Sequence, residues 1–217
     1  MKHKAVIFDL DGTILDTLED LKNSVNFALS KNGLPERSYE EVRSFVGNGI
    51  RLLIERAVPE NTDSSVIDRC FEDFKAHYKD HSADNTKPYE GIIALLDELK
   101  SKGVKLAVVS NKADFAVQTL VEAYFQGLFH FAVGEREGIR RKPCPDSVNE
   151  AIRVLGASPD EVVYVGDSEV DIETSRNAGV PCIAVTWGFR DKCVLESLNP
   201  EYIIDKPSDL TNIIVKR

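Results

Sequence analysis

The chain has 217 residues, 42% of them hydrophobic and 29% charged, enough for one large domain or for a domain carrying a smaller insert. Its formal net charge of −9 argues against nucleic acid and anionic membrane as partners, because both require a basic face. No apolar run approaches membrane-spanning length and no leader pattern opens the sequence. The four cysteines (Cys70, Cys144, Cys182, Cys193) form no metal-ligand spacing, so free thiols in a reducing cytoplasm are expected.

The first element is the apolar run Ala5-Val-Ile-Phe8, too short for a typical helix, which ends in Asp9-Leu-Asp11-Gly12-Thr13. Such a run reads as a buried parallel strand, and open α/β sheets place ligands at the carboxyl ends of these strands. Residues i and i+2 of an extended chain point to the same side, so Asp9 and Asp11 converge on one small volume. Two like charges there resist ionising together, leaving one carboxylate anionic while its neighbour holds a proton. That pairing suits a nucleophile beside an acid. For an isolated D-x-D, a helix-capping aspartate with a solvated neighbour is the alternative.

Residues 16–85 read as helical. Asp16-x-x-Glu19 has the form of a capping box before Leu18, Leu21, Val25, Ala28 and Leu29 at helical spacing, with Gly33 and Pro35 as stops. Ser38-x-x-Glu41 opens a second helix, and the Gly47-Asn48-Gly49 turn precedes a third carrying Leu53, Ile54 and Ala57. A fourth carries Cys70, Phe71, Phe74 and Tyr78, and Ser82 to Pro88 forms a polar hinge.

From residue 90 the pattern alternates helices with short apolar strands: Val104–Val109, Phe129–Val133, Val162–Val165, Ile183–Val185 and Tyr202–Ile204. Alternation of this kind implies an α/β fold with a mostly parallel, Rossmann-like sheet covered on both faces. The helical stretch interrupts that core directly after its first strand. The expected division is a catalytic core of residues 1–15 and 86–217 with an all-helical cap, or lid, over 16–85.

Three of the apolar runs deliver polar side chains to one sheet edge: Asp9 and Asp11, then Ser110-Asn111, then Gly166-Asp167 with Asp171 beyond. Taken singly, Ser110 reads as a helix cap and Asp167 as a turn former; together they read as a site. Lys142 is the fourth piece, fixed by the rigid Pro143-Cys-Pro145 that follows it. These four segments resemble the four motifs of the haloacid dehalogenase superfamily in order and spacing, and the similarity spans essentially the whole chain. The first matches hhhhDxDGTxxDT at every defined position.

That resemblance implies that Asp9 is the nucleophile, forming an aspartyl-phosphate, and that Asp11 protonates the leaving alkoxide and later deprotonates water. It implies phosphate binding by Gly12, Ser110, Asn111 and Lys142, and metal ligation by Asp9, Asp11 (through its backbone carbonyl), Asp167 and Asp171. Thr13 either contributes or shapes the turn. Three ionised aspartates bring about −3, a phosphate monoester adds about −2, and Lys142 returns only about +1, so a divalent cation is required. Carboxylate oxygens and water suit Mg²⁺. Branches of the superfamily with dehalogenase or phosphonatase chemistry lack an acid at the position of Asp11, which favours phosphatase or phosphomutase chemistry here.

In the cap, Val46-Gly47-Asn48-Gly49-Ile-Arg51-Leu-Leu-Ile-Glu-Arg56-Ala57 resembles the VGxGxxxLxxRA signature of phosphoglycolate phosphatases. Glycines about Asn48 allow close approach of a small ligand, and Arg51 or Arg56 either meets a substrate carboxylate or faces solvent. Thr186-Trp187-Gly188 is similar to the same branch. The expectation is therefore a Mg²⁺-dependent phosphatase of a small phosphorylated metabolite, 2-phosphoglycolate foremost, with Asn48, Gly49 and Arg51 setting specificity, as a monomer or homodimer. A β-phosphoglucomutase-like mutase, an inorganic pyrophosphatase and a turnover-deficient binding protein are the alternatives.

Overall fold

The computed structural model describes residues 3–215. Strand β1 (Ala5–Phe8) leads through β2 (Leu15–Asp16) into four helices: α1 (Leu18–Lys31), α2 (Tyr39–Phe45), α3 (Ile50–Ala57) and α4 (Ser64–His81). The chain returns through β3 (Lys87–Pro88). There follow α5 (Ile92–Ser101), β4 (Lys105–Ala113), α6 (Asp114–Phe125), β5 (Phe131–Glu135), α7 (Asp146–Leu155) and β6 (Val162–Gly166). The last elements are α8 (Glu169–Ala178), β7 (Cys182–Val185), α9 (Lys192–Ser197), β8 (Tyr202–Ile204) and α10 (Pro207–Val215).

Six strands form one parallel sheet in the order β5-β4-β1-β6-β7-β8. Each is an apolar run flanked by helices, the pattern that buries both faces of a parallel sheet. Side-chain alternation sorts the two faces. Val6, Phe8, Val108, Val163 and Val165 pack beneath α5, α6 and α10, whereas Ala5, Ile7, Val109, Val162 and Tyr164 pack against α7. Phe8 pairs with Val108 on one side and Val165 on the other, so Asp9, Val109 and Gly166 follow at one level of the sheet. Sequence order reverses about β1, which puts a crevice at these three carboxyl ends.

The helices α1 to α4 bury a cluster of their own, including Leu21, Val25, Leu29, Ile54, Phe74 and Tyr78. Two core residues, Ala116 and Phe189, complete it, so the cap is seated on the sheet edge. The connections to the cap pair as a short antiparallel ribbon, Leu15 opposite Pro88 and Asp16 opposite Lys87. Beside it the buried Asp20 carboxylate accepts from the backbone N–H and side-chain amide of Asn85 and from the backbone N–H and hydroxyl of Thr86.

Some local expectations change. The Ser38–Glu41 capping box forms, but the Asp16–Glu19 box does not. Thr17 is the N-cap of α1 and its hydroxyl is turned to Asp11 at 2.7 Å, while Glu19 pairs with Lys22. Residues engaged by the sheet edge are unavailable to cap the helix. Strand β4 runs on to Ala113, so Ser110 lies within the strand rather than capping the following helix. Helices α9 and α10 were not anticipated. The stop after α9, Asn199 at φ +47° followed by Pro200, was there to be read, as was Pro207 at the start of α10.

Candidate active site

Asp9 follows the last residue of β1, and its backbone N–H donates to Val165 of the neighbouring strand, fixing the carboxylate over the sheet edge. Its Oδ1 accepts from Lys142 Nζ at 2.7 Å. The same ammonium donates to Asp171 Oδ1 at 2.8 Å and to the Tyr164 hydroxyl at 2.9 Å, so all three of its N–H bonds are used. Asn111 holds the lysine loop by a reciprocal pair: its Oδ1 accepts from Lys142 N and its Nδ2 donates to Lys142 O. The Asn111 amide also reaches Gly47 O on the cap at 3.1 Å. That side chain is thus committed to positioning the lysine loop against the cap. The ladder between β4 and β5 breaks between Val109 and Ala113, freeing that stretch of backbone from pairing with β5.

Asp167 and Asp171 occupy the turn and first helical turn after β6. Asp171 is fully buried and closes a capping box with Ser168, whose N–H and hydroxyl both donate to Oδ2. With Lys142 and Tyr164 on Oδ1, it accepts four hydrogen bonds. Asp167 is 2% exposed and, among the described residues, has no cationic partner within hydrogen-bond distance; it accepts from Phe189 N at 2.6 Å and from the Thr13 hydroxyl at 3.3 Å. Gly12 adopts φ +82°, and a Cβ there would lie 2.4 Å from Asp167 Oδ2. Glycine at this turn is therefore required twice, by backbone conformation and by the carboxylate packed on it.

Burial raises the Asp9 carboxyl to about 7, with Lys142 opposing and the Asp171 and Asp11 charges assisting. Burial, then the charges of Asp171 and Asp9, pushes Asp167 well above the carboxylate range. Lys142 goes the other way: burial disfavours its charge, but Asp171 and Asp9 more than reverse this and hold it charged. Ligand oxygens of Asp9, Asp167 and Asp171 lie within 4.8 Å of one another, all buried. Counting these three against Lys142 leaves a buried excess of about −2, which is costly unless a cation joins it. Hard oxygen donors, a net dianion and Asp167 without a cationic partner together fit a divalent metal ion. Asp9 and Asp167 retain lone pairs for it, whereas the oxygens of Asp171 are occupied by donors.

Asp11 sits at the mouth, where its Oδ1 accepts from Thr17 and from Lys112 Nζ at 2.8 Å. The ammonium of Lys112 also donates to the Tyr78 hydroxyl on the cap at 2.5 Å. Burial disfavours that ammonium, yet the Asp11 carboxylate leaves it with a raised pKa. Apolar cap residues Leu21, Val46, Ile50 and Leu53, with Phe189, line the roof of the cleft, along with Gly47 and Gly49. Arg190 clamps the roof to the floor: it grips Glu169 with Nε and Nη2 and donates to Val46 O and Arg43 O on the cap.

The structure brings Asp9, Asp11, Gly12, Ser110, Asn111, Lys142, Asp167 and Asp171 to this edge; Gly49 reaches it from above. Arg51 goes elsewhere, a correction to the expected specificity set. Its guanidinium pairs with Glu55 and Asp68 and stacks over Phe71. Carboxylates one helical turn away and on α4 capture it before it can face the cleft. Arg56 donates to Phe45 O within the cap, and Asn48 is absent from the cleft lining that its two flanking glycines join. Sequence reasoning missed Lys112, Tyr164 and Arg190. A tyrosine inside the apolar run Val162–Val165 and a lysine prolonging a buried strand were the available signals; nothing local marked Arg190.

A parallel sheet carrying this acidic cluster and the buried Lys142 and Lys112 at a single edge defines a known class. The chain belongs to the haloacid dehalogenase-like hydrolase family, whose pattern it matches over residues 6–185. Among its relatives, a phosphoglycolate phosphatase of Mesorhizobium japonicum is 35% identical over 223 residues, covering 100% of this chain and 97% of that protein. One of Aquifex aeolicus is 32% identical over 212 residues, 97% and 96% of the two chains. A solved structure from Lactobacillus delbrueckii subsp. bulgaricus, provisionally named a phosphoglycolate phosphatase, superimposes with a TM-score of 0.94 at 41% identity, covering 100% of both chains.

Proposed function

We propose that this protein is a Mg²⁺-dependent phosphatase that hydrolyses 2-phosphoglycolate through a phosphorylated Asp9. The observation that carries the reading is the set of bonds from Lys142 to Asp9 and Asp171, beside an Asp167 that makes no ion pair among the described residues. Relatives named phosphoglycolate phosphatase over nearly their full length support the choice of substrate.

Asp9 Oδ1 is engaged by Lys142, and Oδ2 takes no protein donor among the described residues, so Oδ2 is the oxygen that attacks phosphorus. Lys142, its three N–H bonds held by Asp9, Asp171 and Tyr164, contributes its charge rather than a free donor as charge builds on the phosphoryl oxygens, and the Ser110 hydroxyl, which accepts from Lys112 N, keeps its own O–H for them. Asp11 uses Oδ1 for Thr17 and Lys112, so Oδ2 carries the proton to the departing alkoxide and removes one from the water that follows. Asp171 keeps Lys142 aimed, and the apolar roof excludes bulk water while Asp9 is phosphorylated. Asp9 and Asp167 would hold Mg²⁺, which when bound offsets the repulsion between the phosphate dianion and the attacking carboxylate.

The test is a phosphate-release screen over small phosphorylated metabolites, comparing kcat/KM. We expect 2-phosphoglycolate to lead, with release abolished in Asp9→Asn. Isomerised sugar phosphate from β-glucose 1-phosphate with a trace of bisphosphate, in place of free phosphate, would establish the mutase instead.

A further inference from the structure

With Arg51 and Arg56 turned away, the carboxylate of the substrate needs another cation, and three line the cleft: Lys112, Lys142 and Arg190. Lys142 spends every N–H on Asp9, Asp171 and Tyr164. Arg190 spends four of its five on Glu169, Val46 and Arg43 and is drawn to the side of the cleft by them. Lys112 has three donors and uses two, one on Asp11 and one on the Tyr78 hydroxyl. Among the described residues it is the one cleft lysine with an unspent N–H.

We propose that Lys112 is the specificity-determining residue that receives the substrate carboxylate. The inference rests on the phosphatase reading above and adds to it the group that recognises the organic end of the molecule. Geometry supports the assignment. The ester oxygen of the substrate must lie within roughly 3 Å of the Asp11 carboxyl to take its proton. The Lys112 ammonium is 2.8 Å from that same carboxyl group. In 2-phosphoglycolate a single methylene separates ester oxygen from carboxylate, so a substrate placed for proton transfer sets its carboxylate beside Nζ. The surroundings strengthen such a bond. Lys112 is 5% exposed and its ammonium lies over the Tyr78 ring, in a cleft also lined by Leu21 and Leu53, which keeps water from competing for it. Tyr78 lies on α4, so the carboxylate site exists only with the cap seated on the core. Recognition of the carboxylate and closure of the roof are thus one event.

The experiment compares 2-phosphoglycolate with ethyl phosphate, which keeps the methylene and replaces the carboxylate by methyl. In wild type we expect kcat/KM to favour 2-phosphoglycolate. In Lys112→Met that preference should fall by about 10–100-fold, the worth of a hydrogen bond to a charged group, and Lys112→Arg should retain part of it. Loss of the Asp11 contact slows both substrates alike and cancels in the ratio. A preference unchanged in Lys112→Met overturns the proposal while leaving the phosphatase reading standing. A wild type that does not distinguish the two substrates defeats the choice of 2-phosphoglycolate and the proposal with it. Should Lys112→Met be too slow to assay, calorimetric affinities for the two substrates are compared in Asp9→Asn with and without Lys112→Met. The same loss of preference is expected there, and an affinity ratio unmoved by the lysine overturns the proposal.

Discussion

Asp20 lies in the first turn of α1, far along the chain from Asn85 and Thr86, yet it ties the two connections to the cap together. Four donor groups converge on its carboxylate at 2.8–3.0 Å. Asp20→Ala removes every acceptor at once. Asn85 is exposed and water can replace its lost bonds, but Thr86 is 5% exposed, so its N–H and hydroxyl remain desolvated and unpaired. Each such group costs about 1–3 kcal/mol, giving a loss near 3 kcal/mol. For a chain of this size about 2–4 °C of Tm accompanies each kcal/mol, so thermal unfolding followed by circular dichroism should show a fall of roughly 6–12 °C. Asp63→Ala is the control: this exposed aspartate precedes α4 without a side-chain capping bond and should change stability by less than about 0.5 kcal/mol. Equal shifts in the two variants would show that the Asp20 cluster contributes nothing, and the hinge would need another account.

Asp11→Asn should slow hydrolysis of an alkyl phosphate by about 10²–10⁴-fold. The phosphorylation step with p-nitrophenyl phosphate, whose leaving group needs no proton, should suffer far less in single-turnover measurements; equal losses would deny Asp11 the role of acid. Metal affinity should follow pH with a definite sign. Because burial raises Asp9 to about 7 in the metal-free protein, a proton occupies the site below that pH and must leave when Mg²⁺ binds. The dissociation constant, measured calorimetrically on metal-free protein, should therefore weaken by up to about tenfold per proton for each pH unit below 7, and the raised Asp167 carboxyl extends the dependence upward. A flat profile from pH 5.5 to 8 would contradict this. Chelation should abolish phosphate release, and added Mg²⁺ should restore it.

Asp9, Asp11, Lys142 and Asp167 were legible before any fold was known, since each is a polar interruption at the end of an apolar run or beside a rigid proline pair. Period and punctuation mark strand ends well because a parallel strand must be apolar throughout and can become polar only where it leaves the sheet. Local patterns failed where distant residues competed for the same group. The Asp16–Glu19 box gives way to Thr17 as N-cap, whose hydroxyl goes to Asp11, and Arg51 answers to Asp68 on another helix.

The amino-acid order alone determined that apolar strands alternate with helices, that a helical stretch interrupts them early, and which side chains stand at strand ends. These follow from burial, which acts on each segment through its own periodicity. Tertiary structure alone decided the partners. A carboxylate or ammonium acquires its role from whichever opposite charge the fold brings within about 3 Å. That choice separates Lys112 in the cleft from Arg51 outside it, two cations that no local pattern could rank.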